Sequence, residues 1–152
     1  MINHQFESNK NNGFTLIELL VVMAIIGVLS AFLLANLIGA KARARDAQRK
    51  ADLRQLQAAF ELYRSDQGDY PPAPLPTCGS SLVNAGTTYM QKIPCDPLNN
   101  GQFVYSYALT GGGTGYDLVT CLENPNDSQK DKVNDTTYCS GTSNWSLTLT
   151  NP

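Results

Sequence analysis

Apolar residues fill a long stretch near the start of the chain, and further on they are confined to one face of a predicted helix. From Leu19 to Ala40 there is no charged residue in 22 positions, and a helix needs about 20 apolar residues to cross a bilayer. Further on, apolar side chains recur every three or four positions, on one helix face: Leu53, Leu56, Phe60 and Tyr63. The pattern predicts one continuous helix from Phe14 to about Arg64, apolar all round in its first half and amphipathic in its second.

The end of this helix is marked by turn residues. Gly68 can adopt the left-handed conformation of a helix C-terminus, and Pro71 blocks continuation. Asp66 to Pro76 holds four prolines and is expected to be a loop. From there to Pro97 we expect irregular backbone, with one or two helical turns over Thr87 to Lys92.

Three later segments have the composition and alternation of β-strands. Gln102 to Leu109 is rich in Phe, Val and Tyr, and Tyr116 to Leu122 follows a Gly-rich turn, so these two segments predict a hairpin. In the third segment Trp145, Leu147 and Leu149 alternate with Ser and Thr. We predict an α+β fold in which the second half of the long helix packs on a small antiparallel sheet.

The net charge of −2 hides an asymmetry along the chain. From Phe14 to Ser65 there are seven Lys and Arg residues and four Asp and Glu residues, a net charge of +3. From Asp66 to Pro152 there are three Lys residues and eight Asp and Glu residues, a net charge of −5, and the charges of Glu7 and Lys10 cancel. A basic helix suits a position near anionic lipid, and an acidic C-terminal part argues against a general nucleic-acid binder. His4 is the only histidine, and no nucleophile–base pair or metal cluster indicates an enzyme.

The start of the apolar stretch carries a dense motif. Gly13 is followed by Phe14, by Glu18 four residues later, and by the long apolar run, all after a short polar leader. A carboxylate in hydrocarbon is costly, so Glu18 is a candidate functional residue; the alternative is a side chain at the helix end that reaches the headgroups. Together these features resemble the class III signal of type IV pilins and type II secretion pseudopilins.

The resemblance implies both a domain organisation and a biogenesis. It divides the chain into a prepilin leader at residues 1–13, a membrane-spanning and polymerising segment at 14–40, an amphipathic helical segment at 41–65, and a disulfide-bonded β-rich head at 66–152. A prepilin peptidase would cut after Gly13 and N-methylate Phe14. The single-pass precursor of the inner membrane would then enter an extracellular or periplasmic filament. The implied partners are further copies of the chain, the peptidase, an inner-membrane assembly platform, minor pilins and the lipid bilayer.

Two features of the apolar segment could serve assembly, the first implied by the resemblance and the second by residue spacing. Glu18 would pair with the Phe14 amine of a neighbouring subunit. Four small residues at four-residue spacing form a face on which another backbone can come close: Gly27, Ala31, Ala35 and Gly39. The alternative is the ordinary use of Gly and Ala in membrane helices.

The distribution of basic residues opposes the orientation that the family implies. They follow the apolar run, from Lys41 to Lys50, so the positive-inside rule would place the C-terminal side in the cytoplasm. The processing signal and the cysteines favour the opposite orientation, which we adopt.

The four cysteines all lie in the head: Cys78, Cys95, Cys121 and Cys139. None belongs to a Cys-x-x-Cys pair, and an even number in a small exported domain indicates disulfides. Three pairings exist; we favour Cys78–Cys95 and Cys121–Cys139, because each closes a short loop. Reduced, buried thiols are the alternative.

An acidic region follows the second predicted strand. Carboxylate and carbonyl oxygens suit Ca²⁺, and four side chains could supply ligands: Asp117, Glu123, Asp127 and Asp131. Their spacing is not that of an EF-hand loop, although the resemblance implies calcium in the corresponding loop of major pseudopilins. The alternative is a solvated acidic loop, and no other cofactor is expected.

Two classes of function follow. The main interpretation is a structural subunit of a type IV pilus-like filament; its alternative is the major pseudopilin of a type II secretion system, a protein-export piston, which the sequence from Ile93 to Glu123 resembles more closely. The second class is a monomeric membrane-anchored binding module. Glu18 distinguishes the two classes of function, because a filament subunit needs this carboxylate and a simple membrane anchor does not.

Overall fold

The computed structural model describes residues 13–141 and 144–152, apart from the side chains of residues 34–36. The predicted leader, except Gly13, therefore lies outside the described residues, and so does the side chain of Ala35. The chain divides into two units between Ile38 and Gly39.

One helix, α1, runs through Leu16–Gln67 over 52 residues and confirms the continuous helix that the apolar pattern predicts. It ends as expected at Gly68, whose φ is +88°. The Gly68 N–H donates to the Arg64 carbonyl at 2.8 Å, which satisfies one of the carbonyls that a helix end leaves free.

A short antiparallel hairpin follows, made of β1 (Leu82–Asn84) and β2 (Thr87–Met90). The helical turn predicted over Thr87 to Lys92 is therefore wrong. Ala85 and Gly86 both have positive φ, 47° and 83°, which is the turn that matches the twist of two paired strands. Thr87 and Thr88 are β-branched and continue from that turn as a strand.

The main sheet has three antiparallel strands in the order β3-β4-β5. They are β3 (Ser106–Thr110), β4 (Gly115–Leu122) and β5 (Trp145–Thr150), with a 3₁₀ turn at Gly111–Gly113 between the first two. The predicted hairpin and third strand are confirmed, but β3 begins four residues later than expected. The Phe103 N–H donates to the Asn100 carbonyl at 2.9 Å, so this part of the chain turns before it becomes extended.

The core lies between the second half of α1 and the main sheet. The predicted stripe of Leu53, Leu56, Phe60 and Tyr63 is buried in one cluster with Tyr116, Leu118, Leu122 and Leu147. The Phe60 ring centroid lies 4.9 Å from that of Tyr107 and 5.3 Å from that of Tyr116. These contacts confirm the α+β arrangement, because the sheet covers the amphipathic face of the helix.

Candidate functional site

The first unit exposes an apolar surface along the described side chains of α1. An 18-residue window has a mean hydropathy of 2.7, and none of it is buried, so the helix is long and apolar enough to cross a membrane. Phe14 is 84% exposed, and Leu16, Ile17 and Ile38 are also largely exposed. A contiguous apolar surface of this extent marks an interaction with lipid or with another protein.

Glu18 closes the N-terminus of α1 through a reciprocal contact with Thr15. Glu18 Oε2 accepts hydrogen bonds from the Thr15 N–H and from the Thr15 hydroxyl, each at 2.8 Å. The Glu18 N–H donates back to Thr15 Oγ1 at 3.3 Å. This is a capping box, and it places the carboxylate at the positive end of the helix dipole. Both bonds to the carboxylate end on Oε2.

The other predicted assembly residues lie on open surface. A Cβ atom added at Gly27 or Gly39 would meet nothing within 4 Å, and Ala31 is exposed. A Cβ atom added at Gly13, the predicted processing residue, would also meet nothing within 4 Å. These positions are therefore open within the described part of the chain.

Both disulfides that the sequence favoured are formed in the structure, Cys78 to Cys95 and Cys121 to Cys139. The first joins the loop before β1 to the loop after β2. The second closes the loop that follows β4, residues 123–139, which we call the strap.

The carboxylates considered as calcium ligands do not converge. Glu123 binds Arg45 and Arg49, and Asp127 binds Lys50 at 2.7 Å. Asp131 accepts from the Thr148 N–H and hydroxyl, and Asp117 lies within β4. Among the residues described, no group of three or more His, Cys, Asp or Glu side chains could hold a metal ion. Calcium at these four residues is therefore not supported, because cationic and hydroxyl donors already occupy three of the carboxylates.

A buried ionic cluster, which the sequence did not predict, joins α1 to the head. Arg49 is 0% exposed and binds three carboxylates, Asp46 at 2.8 Å, Asp96 at 2.7 Å and Glu123 at 2.7 Å. Its guanidinium carbon lies 4.7 Å from the centre of the Phe103 ring. Burial by itself lowers the pKa of Arg49, but the hydrogen bonds to the three carboxylates outweigh burial and raise that pKa above its usual value.

Two further contacts fix the strap to the same part of the helix. Asp46 accepts the backbone N–H groups of Glu123 and Asn124, each at 2.9 Å. Arg45 binds Glu123 with two parallel hydrogen bonds of 2.6 and 2.5 Å, and this contact is the main reason that the pKa of Glu123 is lowered.

The cluster corrects the interpretation of the basic segment as a lipid-facing one. Arg45, Arg49 and Lys50 bind head carboxylates, whereas Lys41 and Arg43 are exposed. The sequence held a signal for the burial of Arg49 but not for its partners, because Arg49 lies four residues before Leu53 and so continues the buried stripe toward the N-terminus.

Comparisons with known proteins give two family matches that meet close to the boundary between the two units. Residues 8–34 match the prokaryotic N-terminal methylation motif, and residues 36–137 match the family described as type II secretion system (T2SS), protein G. The chain is 32% identical over 126 residues to the type II secretion system core protein G of Escherichia coli (strain K12), covering 74% of this chain and 82% of that protein. It is 30% identical over 135 residues to the same core protein of Aeromonas hydrophila, covering 74% and 93%.

A shorter match links the chain to a pilus subunit. It is 41% identical over 61 residues to the type IV major pilin protein PilA of Myxococcus xanthus (strain DK1622), covering 40% of this chain and 28% of that protein. No solved structure gives a significant match.

Proposed function

The chain belongs to the type II secretion system protein G family, and we propose that it is the major pseudopilin of such a system, the subunit of a filament that drives protein export. The observation that carries the proposal is the family match over residues 36–137, which includes the head up to residue 137 but not β5. The match favours the export pseudopilin, the alternative in the sequence analysis, over the pilus subunit that was its main interpretation. As a member of this family the chain is a structural subunit and not an enzyme.

In this proposal the subunit is first an anchored precursor. The methylation motif at residues 8–34 and the apolar part of α1 support a position in the inner membrane. A prepilin peptidase hydrolyses the Gly13–Phe14 peptide bond, which releases the leader and leaves a free amine on Phe14. The helix begins only at Leu16, so the bond to be cut lies in non-helical chain that a peptidase can reach.

Assembly then joins the new amine to Glu18 of a neighbouring subunit. A charge buried alone in an apolar filament core is strongly destabilising, and pairing compensates both charges. Because Glu18 Oε2 carries the two bonds from Thr15, Oε1 can accept the incoming amine while the helix keeps its cap. The exposed faces at Gly27, Ala31 and Gly39 would let neighbouring helices approach closely.

The ionic cluster gives this filament a firmly attached head. Arg45, Arg49 and Lys50 connect α1 to the strap and to Asp96, so these contacts attach the head to the second half of the helix. In this proposal the filament lies in the periplasm, and the assembly platform and minor pseudopilins act at its base and tip.

Deletion of the gene in the source bacterium tests the proposal. We expect exported enzymes to accumulate in the periplasm and disappear from the medium, while surface pili persist in sheared fractions. The match to the Myxococcus xanthus pilin favours the other candidate, a surface pilus subunit. Loss of pili with normal secretion would establish that candidate and contradict the export role.

A further inference from the structure

The strap contains four carboxylates, and each accepts hydrogen bonds from the chain itself. Two of them are bound by cationic side chains of α1 and two by hydroxyl or N–H groups of the head: Glu123 by Arg45, Asp127 by Lys50, Asp131 by Thr148, and Asp135 by the Thr137 N–H. A calcium ion would need about six to eight oxygen ligands that converge on one point. In the strap these oxygens face donors of the protein instead.

Lys50 binds the strap from α1. Its ammonium group lies 2.7 Å from Asp127 Oδ2, and Asp127 Oδ1 accepts the Gln129 N–H at 2.9 Å. Burial by itself raises the pKa of Asp127, but the contacts with Lys50 and Gln129 outweigh burial and lower that pKa. The carboxylate is therefore ionised at neutral pH, and the charge that balances it is a lysine of the same chain.

Lys130 holds the strap from within. Its ammonium group donates to the Pro125 carbonyl at 2.5 Å and lies 4.0 Å from the centre of the Trp145 ring in β5. The first contact closes a turn of the strap, and the second attaches that turn to the sheet. The oxygens that the two lysines bind, the Pro125 carbonyl and the Asp127 carboxylate, are of the types that calcium takes as ligands.

We propose that Lys50 and Lys130 serve as the cations of the strap, in the place of the calcium ion that the family resemblance implies, so that the subunit folds and polymerises without calcium. This role concerns what orders the head, and it goes beyond the proposed function of the filament. The Cys121–Cys139 disulfide assists it, because it joins the two ends of the strap covalently. A filament of such subunits keeps its heads ordered when calcium outside the cell is low.

Hydrogen exchange of the strap amides, measured on the full chain in detergent, tests the role of the two lysines. Lys50→Met and Lys130→Met should each speed this exchange about tenfold, since each removes a hydrogen bond donated by a charged group. Lys132→Met is the matched control, because Lys132 lies in the strap and is exposed, and it should change the exchange by no more than about twofold. Exchange at the parent rate in both test variants would overturn the inference.

Purified sheared filaments test the independence from calcium. We expect the same amount of sedimenting filament after incubation with excess EGTA and with calcium, both in the presence of magnesium. Exchange of the strap amides in the parent should agree between these two buffers within about twofold, because a ligand that does not bind adds no stability. Filaments that dissociate in EGTA and persist in calcium, or strap amides that exchange about tenfold more slowly in calcium, would contradict the proposal.

Both assays are independent of what the filament does for the cell. Strap exchange and sedimentation can be measured whether the filament serves export or a surface pilus. The role of the lysines and the proposed function can therefore fail separately, the first in these assays and the second in the deletion strain.

Discussion

Removal of the Arg49 side chain from α1 should strongly weaken the attachment of the head to the helix. Arg49→Leu puts an apolar side chain of moderate volume in this position and removes the cation from three carboxylates. Asp46 and Asp96 are buried, so they cannot recover full hydration. Breaking a buried ion pair by removing one partner costs roughly 3–5 kcal/mol of unfolding free energy.

The remaining contacts place the expected loss at the lower end of that range. Asp46 keeps two backbone N–H donors, and Asp96 keeps the Leu98 and Asn99 N–H groups. Glu123 keeps Arg45. We therefore expect a loss of about 3 kcal/mol, which in a domain of this size lowers the melting temperature by roughly 10 °C.

The assay is thermal unfolding of the full chain in detergent, followed by near-ultraviolet circular dichroism. Arg43→Leu is the matched control, because Arg43 lies on the same helix but is exposed, and its melting temperature should change by no more than about a degree. Adding Asp96→Asn to Arg49→Leu should recover part of the loss, since the double variant buries one uncompensated charge fewer. An Arg49→Leu variant that melts with the parent would refute the view that this cluster holds the head to the helix.

Three further outcomes follow from the same contacts. The pKa of Glu123 is lowered in the folded chain, mainly by Arg45, so the stability from this pair is present above the ordinary value of 4.5 and is lost as the pH falls below it. Arg45→Gln should therefore reduce the fall in melting temperature that accompanies acidification below that pH, and an unchanged fall would show that other groups cause it. Calcium or a chelator should leave the melting temperature unchanged, because Asp127 and Glu123 already bind cationic side chains; a rise of several degrees with calcium would disprove this. The intact mass of the assembled subunit should correspond to a chain that starts at Phe14, and a mass that retains the leader would exclude processing.

The helix and the main sheet were predictable because local periodicity determines them. The unbroken apolar run and the stripe from Leu53 to Tyr63 specify α1 and its buried face, and the alternation at Trp145, Leu147 and Leu149 specifies β5. The hairpin of β1 and β2 was missed because strands of three and four residues carry too little alternation to outweigh the irregular composition around them.

The ionic cluster could not be predicted from local pattern alone. Arg49 and Glu123 are 74 residues apart, and Arg45 and Glu123 are 78 apart, so their pairing depends on where the sheet places the strap. A basic segment next to an apolar span has the composition of a lipid-facing segment, and only the fold shows that three of its cations bind head carboxylates. The Thr15 to Glu18 cap, by contrast, has the local spacing of a capping box, a signal that the sequence interpretation of Glu18 did not use.

The central claim is that the chain polymerises through its N-terminal helix, with Glu18 compensating the Phe14 amine of a neighbour. The most direct measurement is the yield of sheared filaments relative to membrane-bound subunit, for Glu18→Leu in a strain without a wild-type copy. We predict that membrane insertion and head folding stay intact while filament yield falls at least tenfold, because the amine would be buried without a partner. Asp66→Leu, which removes an exposed carboxylate at the far end of α1, should assemble normally. Normal filament yield from Glu18→Leu would contradict the claim.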